Sequence, residues 1–503
     1  MATNNDLNNL QPRSVWAHFA TLCAIPRSSL HEAALKQHLI EWAQVHGIVA
    51  VVDSAGNLIL KKPASPGCEA MPGVVLQGHL DMVCQANAGT VHDFECDAIR
   101  TVVRDGWLIA EDTTLGADNG IGVALALAAL EEPGLIHPAL EVLLTINEES
   151  GMDGARGLAP GTLQGKTLIN LDTEEWGHFY LGCAGGVDVE VSNSVHRTPS
   201  TGSGRTVMEL DEVPSDFALL RFDVSGLCGG HSGIDIHLGR GNAIKLLAEA
   251  LRDLAAHTDV RLIEMQGGSA RNAIPREAFA VCALPVAAVA GMHEWVEHRL
   301  AAWQLRFAQA DAKVAFRYEL DEMPVGKAVH QAERDRVLAF LDTAANGVAQ
   351  MSDDFPGVTD TSSNLGVFSL KQGEIKATFK VRSLHDARAD VLADKLVSFA
   401  SSYGLHAWKD GAYPGWTPNS SSALLALCQQ VYIGQFGEPA SLQVIHAGLE
   451  CGLLAASHPH LDMISFGPDI RGAHAPGERV EIESVGSCWQ LLKAVLQALA
   501  QRG

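Results

Sequence analysis

Four short apolar runs, each stopping at an acid or a histidine, constrain this chain more than any other feature. Val74-Val75-Leu76-Gln77 runs into Gly78-His79-Leu80-Asp81, and Glu141 to Ile146 runs into Asn147-Glu148-Glu149. Thr167 to Leu171 runs into Asp172, and Met463-Ile464-Ser465-Phe466 runs into Gly467-Pro468-Asp469 with His474 just beyond. Runs of this length between turn residues read as buried strands. Ser14 to Val45 has helical apolar spacing, and Gly120 to Leu130 has the Ala/Leu composition of a helix. The alternation predicts an α/β fold with a mostly parallel sheet flanked by helices. Ligands of such sheets bind beyond the carboxyl ends of the strands. Asp118, in Gly116-Ala117-Asp118-Asn119-Gly120, adds a fifth loop just before the Ile121 helix.

Alone, each of these residues has an ordinary explanation. A strand ending in His-x-Asp is commonly a solvated loop, Asp118 could be a helix N-cap, and Glu148-Glu149 an exposed acidic pair. Their coincidence at neighbouring strand ends changes the reading. Several carboxylates converging on one crevice repel one another unless a cation compensates them. Mixed His and carboxylate donors without thiolate suit Zn2+, Co2+ or Mn2+.

A chain of 503 residues predicts at least two domains. After Gly185-Gly186 the texture changes: Val187 to Val191 and Phe217 to Val224 alternate apolar and polar, and Asn242 to Ala256 is an amphipathic helix. Ser192 to Pro214, rich in Ser, Thr, Gly and Pro, reads as a surface loop. The expectation is one discontinuous domain, 1–187 plus 400–503, with an α+β domain at 188–399 inserted. Hydrophobic residues at 47% and charged residues at 19% exclude disorder. Lys+Arg total 36 and Asp+Glu 59, so 36 − 59 = −23, a charge that makes nucleic acid and anionic membrane poor partners. The N-terminus shows no secretory pattern, and no apolar run reaches the ~20 residues of a membrane span. Ten cysteines without a C-x-x-C pair read as reduced thiols, and the expected setting is cytoplasmic.

The motifs resemble a known family. Gly78-His79-Leu80-Asp81, Ala117-Asp118-Asn119-Gly120, Asn147-Glu148-Glu149, Leu171-Asp172 and Gly467-Pro468 with His474-Ala475-Pro476-Gly477-Glu478 are similar to the five motif blocks of the M20 co-catalytic metallopeptidases. The longer strings HLDMVCQ, DNGIGVA, LDTEEWG, GCAGG and HAGLECG resemble its aminoacyl-histidine dipeptidase (Xaa-His dipeptidase) branch. The blocks follow the family order over nearly the whole chain.

The resemblance implies a catalytic domain at 1–187 and 400–503, a lid at 188–399, and two divalent metal ions, zinc first, with cobalt or manganese as alternatives. His79 and Asp172 would hold one ion, Glu149 and His474 the other, and Asp118 would bridge. Asp81 would orient His79, and Glu148 would be the general base. In the lid, His231 of Gly229-Gly230-His231-Ser232-Gly233 would reach the substrate carbonyl, Asn272 of Arg271-Asn272-Ala273 would hold substrate, and Arg382 would pair with a terminal carboxylate. Glu450 is expected to meet the substrate ammonium. The implied activity is hydrolysis of unblocked dipeptides, Xaa-His preferred. The alternatives are a broad di/tripeptidase, an N-acyl-amino-acid amidohydrolase of the same family, and a non-enzymatic cation-binding protein. The implied partner is a small peptide, and a homodimer is an open assembly state.

Overall fold

The computed structural model describes residues 7–193, 208–321 and 326–501, which form two compact units. Unit 1 comprises Met1–Cys183, Trp416–Val444 and Leu449–Gly503; unit 2 comprises Ala184–Gly415 and Ile445–Gly448.

The core of unit 1 is an eight-stranded sheet. Its strand order is Val49–Val52, Leu58–Lys62, Leu140–Thr145, Val74–His79, Thr167–Asn170, Asp462–Ser465, His178–Cys183 and Ser441–Ile445. The four central strands pair in parallel and the outer pairs given a register are antiparallel. Every residue of Val74–His79 and Leu140–Thr145 is buried, which is why these strands read as continuous apolar runs. Helix Ala117–Glu131 packs on the Val74–His79 strand and is buried along almost its whole length. A helix buried all round needs small and apolar residues at every turn, which accounts for its Ala/Gly/Leu composition. A four-stranded antiparallel sheet (Ile470–Arg471, Arg479–Glu481, Trp107–Ala110, Thr101–Arg104) presents the loop that carries His474.

Unit 2 is a nine-stranded sheet with helices Ala243–His257, Met292–Arg306, Gln331–Thr343 and Asp386–Ser402. All its registered pairs are antiparallel. The strand Phe217–Ser225 alternates burial from Leu220 onward, as the period-2 pattern predicts for that part.

Three details depart from the sequence reading. Strand His406–Tyr413 pairs with Gly185–Ser192 and so belongs to unit 2, and the chain returns to unit 1 only at Trp416. The short segment Ile445–Gly448 also belongs to unit 2. Leu210–Glu212, within the segment read as a loop, is a strand paired with Lys327–Val329, while 194–207 lies outside the described residues. The ten cysteines are all free thiols. Among the described residues no helix is long and apolar enough to cross a membrane.

Candidate functional site

The carboxyl ends of the central strands of unit 1 bring together His79, Asp81, Asp118, Glu148, Glu149, Asp172 and His474. Asp118 divides its two oxygens: Oδ1 lies 3.0 Å from His79 Nε2 and Oδ2 lies 3.0 Å from His474 Nε2. The same His79 Nε2 is 3.3 Å from Asp172 Oδ1, and the same His474 Nε2 is 3.1 Å from Glu149 Oε2. Two groups, His79–Asp118–Asp172 and Asp118–Glu149–His474, each offer three ligand atoms within 4.8 Å of one another. They share only Asp118. A third such group, His79–Glu148–Glu149, sets Glu148 beside both.

A single ring nitrogen carries either one hydrogen or one lone pair, so it cannot satisfy two carboxylate oxygens. A cation among the three atoms can. Among the described residues the only ion-pair partners of Asp118, Asp172 and Glu149 are these two imidazoles. Glu149 Oε1 and Asp172 Oδ1 are buried without a hydrogen-bond partner. Both observations fit divalent metal ions in the two groups.

The proton affinities describe the same imbalance. Burial pulls His79 down, but the Asp172 charge, the hydrogen bond to Asp118 and the nearby carboxylates of Asp172 and Asp81 push it well above its usual range. Hydrogen bonds to Asp118 and Glu149 raise His474 to about 11. Burial raises Asp172 to about 6, and it lifts Glu148 well above the usual carboxylate range despite the opposing His79 charge. Without metal, charged imidazoles and raised carboxyl groups offset the repulsion in this set, and metal ions would supply positive charge there instead.

The loops around the site are tied to one another. Asp81, 0% exposed, places Oδ1 3.3 Å from His79 Nδ1. It also accepts the backbone N–H groups of Glu148 (3.0 Å) and Glu149 (3.1 Å) and the Ser29 hydroxyl (2.7 Å). Burial pushes Asp81 up, but the His79 hydrogen bond and charge, with Ser29 and the Glu148 N–H, outweigh it and hold Asp81 at about 2. Glu148 and Glu149 open the one-turn helix Glu148–Gly151 rather than an extended segment. Their side chains diverge by helical rotation, and Asp81 caps the turn from another loop. Glu478 takes four backbone N–H groups, those of Leu115 (2.7 Å), Gly116 (3.0 Å), Ala117 (2.7 Å) and Asp118 (3.3 Å). It thereby fastens the His474 loop to the Asp118 turn. Arg27, 2% exposed, donates to the carbonyls of Leu80 (2.9 Å), Asp81 (2.9 Å) and Gly116 (2.5 Å).

Sequence reasoning gave Glu478 and Arg27 no role. An isolated Glu after a Pro-Gly turn and an Arg before two serines carry no pattern that says they are buried. Glu450 needs a correction. It is 0% exposed, and its Oε2 accepts from Gln77 Nε2 and Thr145 Oγ1, each at 2.7 Å. Helix Glu450–Ser457 turns its first side chain inward against the strands, so no face is open to a substrate ammonium.

Unit 2 holds a second cluster. His231 Nδ1 accepts the backbone N–H groups of Gly233 (3.2 Å) and Ile234 (3.0 Å), which places the ring hydrogen on Nε2. Burial and the Arg382 charge lower His231 to about 4, so the ring is neutral at pH 7. Arg382, 4% exposed, donates to Tyr413 Oη at 2.6 Å, and its Nη2 lies 3.3 Å from His231 Nε2. Two donors therefore converge with no acceptor between them. Among the described residues Arg382 has no carboxylate partner, unlike Lys380 and Arg271, which both pair with buried Asp188 at 2.9 and 2.7 Å. Asn272 is exposed, and its carbonyl accepts the Ser232 N–H at 2.8 Å, tying its loop to that of His231.

The model of peptidase family M20/M25/M40 matches residues 75–498. The chain is 41% identical over 496 residues, 98% of this chain and 99% of the relative, to the cytosol non-specific dipeptidase of Escherichia coli K12. The aminoacylhistidine dipeptidase of Vibrio alginolyticus has the same fold, with TM-score 0.87 and 40% identity over 98% of both chains. The aminopeptidase PepT of Bacillus cereus shares the fold at TM-score 0.55 and 14% identity, over 98% of this chain and all of that one.

Proposed function

Because the chain belongs to peptidase family M20/M25/M40, we propose that it is a dinuclear metal-dependent dipeptidase acting on unblocked dipeptides, Xaa-His among the preferred ones. The division of Asp118 between two His/carboxylate groups carries this reading. His79 and Asp172 would hold one ion, Glu149 and His474 the other, and Asp118 would contribute to both groups. Zinc is the proposed ion, since the donors are two imidazoles and three carboxylates with no thiolate; cobalt and manganese suit the same donors.

When bound, the ions supply Lewis acidity and a strong local positive field. Glu148, beside both ligand groups, takes the proton of the attacking water and returns it to the leaving amine. Asp81 keeps the His79 ring turned to the site. In unit 2 the neutral His231 donates from Nε2 to the substrate carbonyl oxygen, Asn272 helps hold the peptide, and Arg382 binds the terminal carboxylate. The names of two relatives, a cytosol non-specific dipeptidase and an aminoacylhistidine dipeptidase, support dipeptides, Xaa-His among them, as the substrates. The first of those names also supports a cytoplasmic setting.

Metal analysis of the purified protein, with a panel of Xaa-His, Xaa-Leu, tripeptide and N-acyl substrates, tests the proposal. Two ions per chain and hydrolysis of free dipeptides are expected. Hydrolysis confined to N-acyl substrates would move the chain to the amidohydrolase reading.

A further inference from the structure

A row of polar side chains crosses the sheet of unit 1 one step below the proposed metal ligands. Gln77, Asn170 and Ser465 are register partners on three adjacent parallel strands. They are 0%, 1% and 0% exposed, in strands otherwise filled with apolar residues. His79 and Asp172 follow Gln77 and Asn170 by two residues, the spacing that returns a strand to the same face.

The hydrogen bonds of this row run in one direction. Thr145 and Gln77 Nε2 both donate to Glu450 Oε2. With its amide nitrogen so engaged, Gln77 presents Oε1 to Asn170 Nδ2 at 2.5 Å. Asn170 Oδ1 is left as an acceptor, taking the Ser465 hydroxyl at 2.5 Å and the backbone N–H of Asp172 at 3.3 Å. If the Gln77 amide were reversed, Asn170 would reverse with it and set an N–H against the N–H of Asp172. Glu450 takes both bonds on Oε2 and carries any proton on the unpartnered Oε1, so at this end of the row it acts as an acceptor and fixes the polarity of the whole chain. Burying a carboxyl group with one oxygen, Oε1, unpartnered is costly, and the mechanism above gives Glu450 no other task.

We infer that Glu450, acting through Gln77 and Asn170, is a positioning residue that orients the Asp172 turn for metal binding. The inference rests on the proposed two-metal site. Outer partners of metal ligands typically govern affinity by about 10–100-fold.

Titration of metal-free protein with Co2+, followed by its visible absorption, tests this, with thermal melts to check folding. Wild type is expected to take up two equivalents; fewer would overturn the proposed function itself. Gln77→Met cuts the row in a residue of similar size. It should weaken one of the two binding steps by about 10–100-fold and leave the other near the wild-type value. Gln77→Glu sets two buried carboxylates against each other and should be at least as damaging. The exchange Gln77→Glu/Glu450→Gln restores a donor facing an acceptor and still offers Asn170 an acceptor. It should return cobalt affinity to within several-fold of wild type. Two wild-type binding steps in Gln77→Met would overturn the inference while leaving the two-metal site standing. Should Gln77→Met not fold, the exchange decides: a folded double variant binding cobalt no better than Gln77→Glu also overturns it.

Discussion

The two units each contain a polar cluster with half of its charge missing, and the missing halves have opposite sign. In unit 1, Asp118, Asp172 and Glu149 converge with two imidazoles as their only ion-pair partners among the described residues. In unit 2, Arg382 is buried with no carboxylate partner among the described residues and points at a second donor, the neutral His231. The Asp188–Lys380–Arg271 group in the same sheet shows what a self-sufficient arrangement looks like, with one acid meeting two cations. A buried group that the protein does not neutralise is costly to keep, so such groups mark where a ligand supplies the rest. Among the described residues the unit 1 cluster lacks a further cation and the Arg382 cluster lacks an anion; under the proposed function these would be metal ions and a free peptide carboxylate.

The sharpest way to break the comparison is Asp118→Ala. One side chain serves both ligand groups, so its loss should abolish binding of both ions and bring activity down to that of chelator-treated enzyme. Elemental analysis alongside an activity assay checks this, and full metal content with full activity would dismantle the unit 1 site. Glu148→Gln ranks next. It should keep two ions per chain and near-normal dipeptide binding while kcat falls by about 10²–10⁴-fold. Glu149→Gln should instead lose metal, so measuring stoichiometry and kcat in both variants shows whether the adjacent acids divide the work as proposed.

Smaller in effect is Arg382→Ala in unit 2. A charge-assisted bidentate pair contributes about 1.5–3 kcal/mol, or one to two decades in kcat/KM. The loss should be confined to free dipeptides and spare their C-terminal amides. An equal loss on both would mean that the missing anion of unit 2 is not the substrate carboxylate.

The smallest expected effect concerns stability rather than turnover. His446, 6% exposed and bonded to Ser362 Oγ at 2.8 Å, is lowered to about 3 by burial and by the Arg382 charge. Its folded value lies below the ordinary value near 6.5 of an unfolded chain. The unfolded state therefore binds more protons between these values. The contribution of His446 is fully present above pH ~6.5 and is lost as pH falls toward 3. Melting temperature measured from pH 7 to 4 should fall less steeply in His446→Gln than in wild type. Parallel curves would show that His446 is not buried as a neutral ring.

Much of the fold of unit 1 was legible because its constraints are local. Continuous apolar runs ending in Gly-His or Asn-Glu announce strands buried on both faces with polar loops at one end. The α/β class with a parallel centre followed from that alternation. Boundaries were harder. His406–Tyr413 has the same local character as strands of either unit, and only its pairing with Gly185–Ser192 assigns it. Ile445–Gly448 is too short for any composition signal. The seven strand-end residues were legible as a group by their chemistry and position. The supports beneath them were not, because a buried polar residue in a strand looks like any other polar residue until its partner is known.

The sequence by itself determined which atoms are available for chemistry: two imidazoles, an excess of carboxylates and no thiolate pair, on loops at strand ends. Spacing and residue type suffice for that, since position along a run decides which end of a strand a residue occupies and the period of two decides its face. Only the tertiary structure decided that Asp118 faces two histidines at once and that Asp81 caps the turn bearing Glu148. It alone turned Glu450 inward onto Gln77 and left Arg382 without an acid. Each of these is a relation between residues tens to hundreds of positions apart. Hydrogen-bond direction and charge balance depend on distances of a few ångströms that no local pattern encodes.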